Sequence, residues 1–490
     1  MHRLFFCVVT LSFLCLHSVG AVEAKTPHIV YILADDQGYG DVTYFNPESK
    51  IPTPNLDRLA RQGMIFTDAH SASAVCTPTR YGLLTGRYCW RTRLKAGVLW
   101  GHSPRLIEPG RATVASFLRE QGYHTACVGK WHLGLDWPTR QPVRFGDNVK
   151  PQADLGLIDY TKPITNGPLA VGFDYYFGIP ASLDMPPFIF VENDRTIGQA
   201  TATKKWLRSG PAEPDFEAVD VLKTFTEKAT AYIQQRAQDK TGKPFFLYMP
   251  LTSPHTPVVP RPEFRGLGKI GPYGDFVHET DWVVGQVLNA LRETGLEQDT
   301  LVIFTSDNGY SPSGMSRADQ EKVGHHSSSI FRGTKADIWE GGHRVPFIAR
   351  WPGVVQPGTK CAEPICLNSL FATCAELVGQ ELPQDAAEDS FSILPLLRGA
   401  QRNRPTHDAI VHHSVQGMFA IRKGPWKLIE GRGSGGWTKG DTGDDLPEAQ
   451  LYHLTDDPSE KHNLHDKHAE IVRELRGLLE QYKTSGRSRP

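Results

Sequence analysis

The sequence is almost free of net charge. Its 53 Lys and Arg stand against 54 Asp and Glu, for a formal net charge of −1 and a pI near 7.0. There is thus no electrostatic footprint for nucleic acid. Cysteine is scarce, at 8 in 490 residues, and no pair of spacings reads as a zinc site. Cys7 and Cys15 lie in the N-terminal apolar run. Apart from Cys76, that leaves Cys89, Cys127, Cys361, Cys366 and Cys374, an odd number that does not describe a disulfide framework, although Cys361 and Cys366 could pair. No Asn-x-Ser/Thr acceptor occurs with x other than proline. This weighs against a lysosomal or secreted eukaryotic glycoprotein and favours a bacterial periplasm or exterior. Past the N-terminus no stretch is apolar enough to span a bilayer, and no internal repeat is present.

What is present first is a processing segment. Arg3 supplies a positive start, residues 4–16 an apolar core, and Val19, Ala21, Val22 and Ala24 small residues for cleavage after Ala21 or Ala24; this is the pattern of a secretory signal. The apolar run is too short for a membrane anchor and is interrupted by His17 and Ser18. The remaining length exceeds one ordinary core, so one large domain and a smaller companion are expected. A hydrophobic fraction of 39% with 22% charged residues is that of a globular protein. The 36 prolines and 46 glycines indicate many loops, which suits a site built on loop ends.

Residues 76–87 read CTPTRYGLLTGR. Pro78, Arg80 and the Thr85-Gly86-Arg87 triplet make an unusual setting for a structural cysteine. The stretch resembles the signature of the sulfatases, C-x-P-S/T-R followed closely by T-G-R. The resemblance implies that Cys76 is oxidised by a maturation enzyme to Cα-formylglycine, whose hydrated aldehyde is the nucleophile. A serine would be left as a stable sulfate ester, whereas a geminal diol attacks through one hydroxyl and expels sulfate by collapsing through the other.

Two apolar β-rich runs end in acidic tips. HIVYILADD carries residues 28–33 into Asp35 and Asp36, and TLVIFTSDN carries residues 301–304 into Asp307 and Asn308. Continuous apolar strands belong inside a sheet covered on both faces, and in such sheets functional groups gather at the carboxyl ends of strands. Three carboxylates and an amide suit a hard cation, Ca²⁺ or Mg²⁺. The resemblance assigns Asp35, Asp36, Asp307 and Asn308 to a single Ca²⁺ that also touches residue 76.

Other strand tips carry Lys130 and His132, in GKWHLG, and His255, held between Pro254 and Pro257 in LTSPHTP. Lys335 precedes the WEGG turn. The resemblance places Lys130, His132 and Lys335 at the sulfate and His255 at the leaving oxygen. Histidine alone has an unperturbed pKa suited to protonating an alcohol leaving group, so His255 is expected to be the acid, with His325 or His326 on the loop of residues 311–329 as substitutes. Arg80 and His132 are expected to orient and activate the diol, and Lys130 and Lys335 to hold the sulfate oxygens.

A helical stripe at Phe276, Val277, Val283, Val284, Val287, Leu288 and Leu291 reads as core. From about Arg404 short strands are followed by a helix over residues 469–482, an α+β unit resembling the sulfatase C-terminal subdomain. The final TSGRSRP reads as a frayed tail. In residues 135–208 Trp137, Tyr175, Tyr176, Asp184, Phe188 and Glu192 admit either a sugar pocket or loop packing.

The resemblance implies an alkaline-phosphatase-like α/β fold: a large central mixed sheet flanked by helices, then a smaller C-terminal α+β subdomain with an antiparallel sheet and terminal helix. The expected division is a signal peptide at 1–24, a catalytic domain at 25–400 and the subdomain at 401–490. The expected activity is hydrolysis of sulfate monoesters, on a sulfated carbohydrate or an aryl sulfate. A phosphomonoester or phosphonate hydrolase of the same superfold is the alternative, although those enzymes commonly use two transition metals with histidine ligands. A noncatalytic glycan-binding protein would not need a nucleophile, acid, base and cation set.

Overall fold

The computed structural model describes residues 26–143, 145–147, 156–400 and 403–490; the expected signal segment lies outside them. A ten-stranded sheet runs in the order Thr359–Cys361, Met64–Phe66, Phe347–Arg350, Thr300–Ser306, His28–Asp35, Phe245–Pro254, His124–Lys130, Tyr175–Ile179, Val191–Glu192, Arg195–Thr196. The five strands from Thr300–Ser306 to Tyr175–Ile179 are mutually parallel, so their carboxyl ends open on one edge. Phe347–Arg350 pairs antiparallel and makes the sheet mixed.

Alternation along the central strand explains its unbroken apolar run. Ile29, Tyr31 and Leu33 enter one core with the helices Cys76–Thr85, Val114–Glu120 and Leu370–Leu377. Val30, Ile32 and Ala34 enter the other with Pro54–Gln62, Val221–Ala237 and Pro272–Glu293. Successive side chains point to opposite faces, so a strand clothed on both sides must be apolar at every position. The stripe expected between Phe276 and Leu291 lies in the second core, except for Val277, which packs with Ile51, Ile270 and Tyr273.

The C-terminal unit is a four-stranded antiparallel sheet, Ile410–His413, Phe419–Lys423, Trp426–Ile429 and Gln450–His453. Helix Ala469–Ser485 packs Val472, Leu475, Leu479 and Tyr482 against Val411, Ile421, Leu428 and Leu451, and Tyr88 and Trp90 join the same cluster. Ala420, Ile429 and Tyr452 pack with Ile338 and Trp339 of the WEGG turn.

Three local expectations are corrected. Residues 311–329 are not all loop, because Ser316 accepts from the Asp319 backbone N–H and starts a short helix, Arg317–Val323. Cys361 and Cys366 are free thiols; Cys361 pairs with Phe66 in the large sheet and Cys366 with His70 in a separate two-stranded sheet. The tail is pinned rather than frayed. Ser488 and Arg489 donate backbone N–H groups to the Glu388 carbonyl, at 3.1 and 3.2 Å, and the Arg489 guanidinium reaches the Ala386 carbonyl at 3.0 Å.

Candidate active site

Cys76 is the first residue of helix Cys76–Thr85, every residue of which is buried. Val75 before it is extended and provides no side-chain cap, and the N-terminal end of a helix suits negative charge. Pro78 is tolerated in the first turn, where no intrahelical N–H bond is lost. Gly86 ends the helix at φ 65. A Cβ there would lie 2.9 Å from both Ala387 and Ser390. The triplet after the leucine pair is therefore structural at this level: it closes the helix, and Arg87 turns to Glu388 at 3.3 Å.

Arg80, four residues after Cys76, shares its helix face. Its Nε and Nη2 donate to Asp307 Oδ2 at 3.1 and 2.8 Å, its Nη2 to Asp35 Oδ2 at 2.8 Å and its Nη1 to the Lys130 carbonyl at 3.0 Å. One fully buried guanidinium thus binds three strand ends. Removing it would strand buried carboxylates, at a cost of about 3–5 kcal/mol.

Asp35 and Asp36 are consecutive, yet both face this site. Register slips between Leu33 and Asp35 against the neighbouring strand, and an irregularity of this kind re-aims side chains. Cys76 Sγ donates to Asp35 Oδ1 at 3.6 Å, while Lys130 Nζ donates to Asp35 Oδ2. Lys335 Nζ donates to Asp36 Oδ1 at 2.6 Å and to Cys76 Sγ at 3.4 Å. Asn308 Nδ2 donates to the same Asp36 oxygen at 2.7 Å. His255 sets its Nε2 3.6 Å from Asp36 Oδ2 and is the partly exposed member of the group. All the residues expected from the sequence therefore gather around Cys76, except that His132 presents its ring differently, as follows.

His132 Nε2 donates to the Leu99 carbonyl at 2.8 Å, which leaves Nδ1 with the lone pair; that atom is buried and has no hydrogen-bond partner. Burial, then Lys130 and Arg80, hold this imidazole well below its usual pKa, so it is neutral and keeps a free lone pair at Nδ1. Its φ of 55 is a left-handed conformation rare outside glycine. The substitute acids fare differently: His325 Nε2 is engaged with Asp41 Oδ1 at 2.9 Å, and His326 is exposed.

Charge is tightly balanced. Burial would raise Asp35, but Lys130 and then Arg80 hold it well below the carboxylate range. Burial, then the Asp35 charge, push Asp307 up to about 7. Burial and Asp35 also push the Cys76 thiol far up, so as a thiol it stays protonated and is a weak nucleophile.

The oxygens fit a hard cation. Asp36 Oδ2, Asp307 Oδ1 and Asn308 Oδ1 are buried without a hydrogen-bond partner, a costly state for carboxylate and amide oxygens. Atoms of Asp35, Asp36, Cys76 and His255 lie within 4.8 Å of one another. An oxygen-dominated donor set of this kind suits Ca²⁺ or Mg²⁺ rather than zinc.

Several supporting residues carry no sequence signal of their own. Thr77 Oγ1 donates to the His132 carbonyl at 3.0 Å and accepts from the Leu99 N–H at 3.2 Å. Asp337 accepts the N–H groups of Trp437 and Thr438, at 2.9 and 3.0 Å, fastening a loop of the C-terminal unit two residues from Lys335. Gln37 is buried beside Asp36 with both amide atoms unpartnered. Among the described residues of 135–208, the side chains singled out from the sequence are held by hydrogen bonds and ring contacts within the protein. Trp137 donates to the Gly101 carbonyl at 2.8 Å, Tyr176 to the Ile179 carbonyl at 3.1 Å and Tyr175 to Glu192 at 2.8 Å, and Phe188 stands edge-on to Trp206. Asp184 pairs with Arg208, whose guanidinium lies 4.9 Å from the Trp100 ring.

Residues 27–380 match the family model described as Sulfatase. The chain belongs to the sulfatase family. It is a sulfuric ester hydrolase, and residues 334–485 of this sulfatase match a second model, N-sulphoglucosamine sulphohydrolase, C-terminal. It is 36% identical over 508 residues to an N-acetylgalactosamine-6-O-sulfatase of Bacteroides thetaiotaomicron, covering 94% of each chain. Human steryl-sulfatase is 32% identical over 446 residues, covering 82% of this chain and 74% of the human protein. A solved structure from work on the metabolism of multiple glycosaminoglycans by Bacteroides thetaiotaomicron superimposes with a TM-score of 0.81 at 35% identity, covering 94% of this sulfatase and all of that chain.

Proposed function

We propose that this sulfatase hydrolyses sulfate monoesters of a sulfated glycan, with residue 76 as formylglycine and one bound Ca²⁺. The observation that carries the reading is the setting of Cys76 Sγ, 3.6 Å from Asp35 and 3.4 Å from Lys335, at a helix start that faces the ends of parallel strands. Similarity over 94% of an N-acetylgalactosamine-6-O-sulfatase favours a sugar substrate. Simple aryl sulfates then serve as surrogates. Conversion of Cys76 requires a maturation enzyme, and the protein is exported to a periplasm or exterior. Residues 25–400 form the catalytic unit and residues 401–490 the companion.

Formylglycine at residue 76 would supply a geminal diol as the nucleophile, one hydroxyl for attack and the other for sulfate release. Asp35, Asp36, Asp307 and Asn308 would hold the calcium beside residue 76, where it would supply charge neutralisation at the sulfate.

The chain's own groups divide the remaining work. Sγ of Cys76 marks the place of the attacking oxygen. His132 Nδ1, neutral and unpartnered, orients the nucleophile by accepting a hydrogen bond from it, and Arg80 fixes the carboxylates and the Lys130 carbonyl around it. Lys335 and Lys130 turn their ammonium groups towards the sulfate oxygens and offset charge as the ester bond breaks. His255, the partly exposed member, protonates the departing alcohol.

The deciding experiment is the mass of the tryptic peptide spanning residues 62–80, taken from protein made in its native host, together with sulfate release from a panel of sulfated mono- and oligosaccharides. Conversion lowers the peptide mass by a fixed amount. An unmodified peptide in active enzyme would remove the formylglycine reading, and preference for aryl sulfates over every sugar would remove the glycan reading.

A further inference from the structure

Two loops of the C-terminal unit are hydrogen-bonded into the backbone around the active site. Ala336, next to Lys335, donates its N–H to the Ala74 carbonyl at 2.8 Å, and its own carbonyl accepts the Val415 N–H at 3.0 Å. The Val415 carbonyl accepts the Gly97 N–H at 2.7 Å, two residues before Leu99, whose carbonyl holds His132. The Gln416 N–H reaches the Gly435 carbonyl at 3.2 Å. Residues 97–99, 415–416 and 435–437 therefore make one connected rim running between Lys335 and His132.

Trp437 stands on that rim. Among the described residues it is the only exposed phenylalanine, tyrosine or tryptophan, at 48%. Leaving an indole in water is unfavourable, yet the backbone beside it is built to hold it there. A Cβ on Gly436 would lie 2.3 Å from the Ala336 carbonyl oxygen, and one on Gly435 2.8 Å from Ser414 Oγ, so two glycines are needed to bring the chain this close to the turn after Lys335. Asp337 then takes the N–H groups of Trp437 and Thr438 on one oxygen, at 2.9 and 3.0 Å, and the Thr438 hydroxyl on the other, at 2.5 Å. The Gln416 side-chain amide donates to the Gly436 carbonyl at 3.2 Å. The backbone is fixed while the ring is left uncovered.

A surface held in this way loses little conformational freedom on binding. The C–H face of a pyranose is a matching partner, being apolar and slightly positive where the face of an indole is negative. We propose that Trp437 is the platform on which the sugar unit next to the sulfated one stacks, so that the enzyme reads an oligosaccharide rather than a single sulfated sugar. The inference rests on the glycan reading above and adds to it a length requirement and the residue that imposes it. Because Asp337 fastens Trp437 two residues from Lys335, the sulfate and the second sugar are gripped by parts of one rigid assembly. Trp437 touches no reacting atom, so its contact is equally strong before and during bond breaking and belongs in KM.

The test measures sulfate release from nitrophenyl sulfate, from a sulfated monosaccharide and from a tetrasaccharide containing the same sulfated unit. Trp437→Ala should lower kcat/KM for the tetrasaccharide about tenfold through KM, and change the two short substrates by less than about twofold. Trp437→Phe, which keeps an aromatic face, should restore most of the loss. An equal loss on all three substrates would make the ring a structural element, and no loss on the tetrasaccharide would make it a bare surface residue. Either result overturns the platform, while turnover of the sugars by wild type leaves the glycan reading intact. Wild-type preference for nitrophenyl sulfate over both sugars removes the glycan reading and the platform with it.

Discussion

Lys335 Nζ lies 3.4 Å from Cys76 Sγ across 259 positions of sequence. The contact is held from both sides of the lysine. Its own N–H donates to the Tyr310 carbonyl at 2.9 Å, the next N–H donates to the Ala74 carbonyl at 2.8 Å, and Ala336 accepts a φ of 77 to allow it. Lys335→Ala should lower kcat by roughly 10²–10³-fold, as loss of one preorganised charged donor does. Alkyl and nitrophenyl sulfates should suffer alike, since both present the same sulfate. A loss confined to one substrate class, measured by sulfate release, would assign the lysine to the leaving group instead.

His255→Ala should separate the two substrate classes. Sugar or alkyl sulfates need a proton at the departing oxygen, so their turnover should fall by about 10²–10⁴-fold, whereas nitrophenyl sulfate, with a good leaving group, should lose less than about tenfold. Equal losses would rule His255 out as the acid. His325 is then a poor replacement, since Asp41 already engages it.

Calcium should copurify at about one equivalent per chain, and at a concentration a hundredfold above Kd it should stabilise the fold by about 2.7 kcal/mol. Asp307→Ala should lose both the ion and activity. Stoichiometric zinc at Asp35 and Asp36, with full activity in a calcium chelator, would contradict the oxygen-site reading.

Asp281 gives a pH prediction away from the site. Its carboxylate accepts the N–H groups of Asn55 at 3.1 Å and Leu56 at 2.7 Å, at the start of helix Pro54–Gln62. Burial raises it to about 6 from 3.8. The folded state therefore holds this proton more tightly than the unfolded chain. The associated stability, at most about 3 kcal/mol, is fully present below about pH 4 and is lost as pH rises through about 6. The wild-type melting temperature minus that of Asp281→Asn should fall across this window; a difference independent of pH would show that the carboxyl does not titrate there.

Most of the fold could be read from the sequence because a doubly covered parallel strand announces itself: an apolar run at every position, cut off by Asp35-Asp36, Asp307-Asn308 or His255. The same runs named the residues that converge around Cys76. Residues 135–208 were harder because Trp137, Tyr176 and Phe188 satisfy a sugar pocket and a packed loop equally well in one dimension, and only their hydrogen bonds and ring contacts distinguish the two. Asp337 and Trp437, 100 positions apart, offered no local pattern at all. Nor did the tail, which is anchored on the backbone carbonyls of Gln384, Ala386, Ala387 and Glu388.

The helix that begins at Cys76 is buried along its whole length, and Cys76 itself is only 2% exposed. In the finished fold this side chain cannot be drawn into another protein's active site without unpacking the helix from its core. If residue 76 is oxidised as proposed, the change has to come while the segment is still an extended peptide. Protein folded first and offered to the modifying enzyme afterwards should remain a permanent thiol, structurally native yet inert.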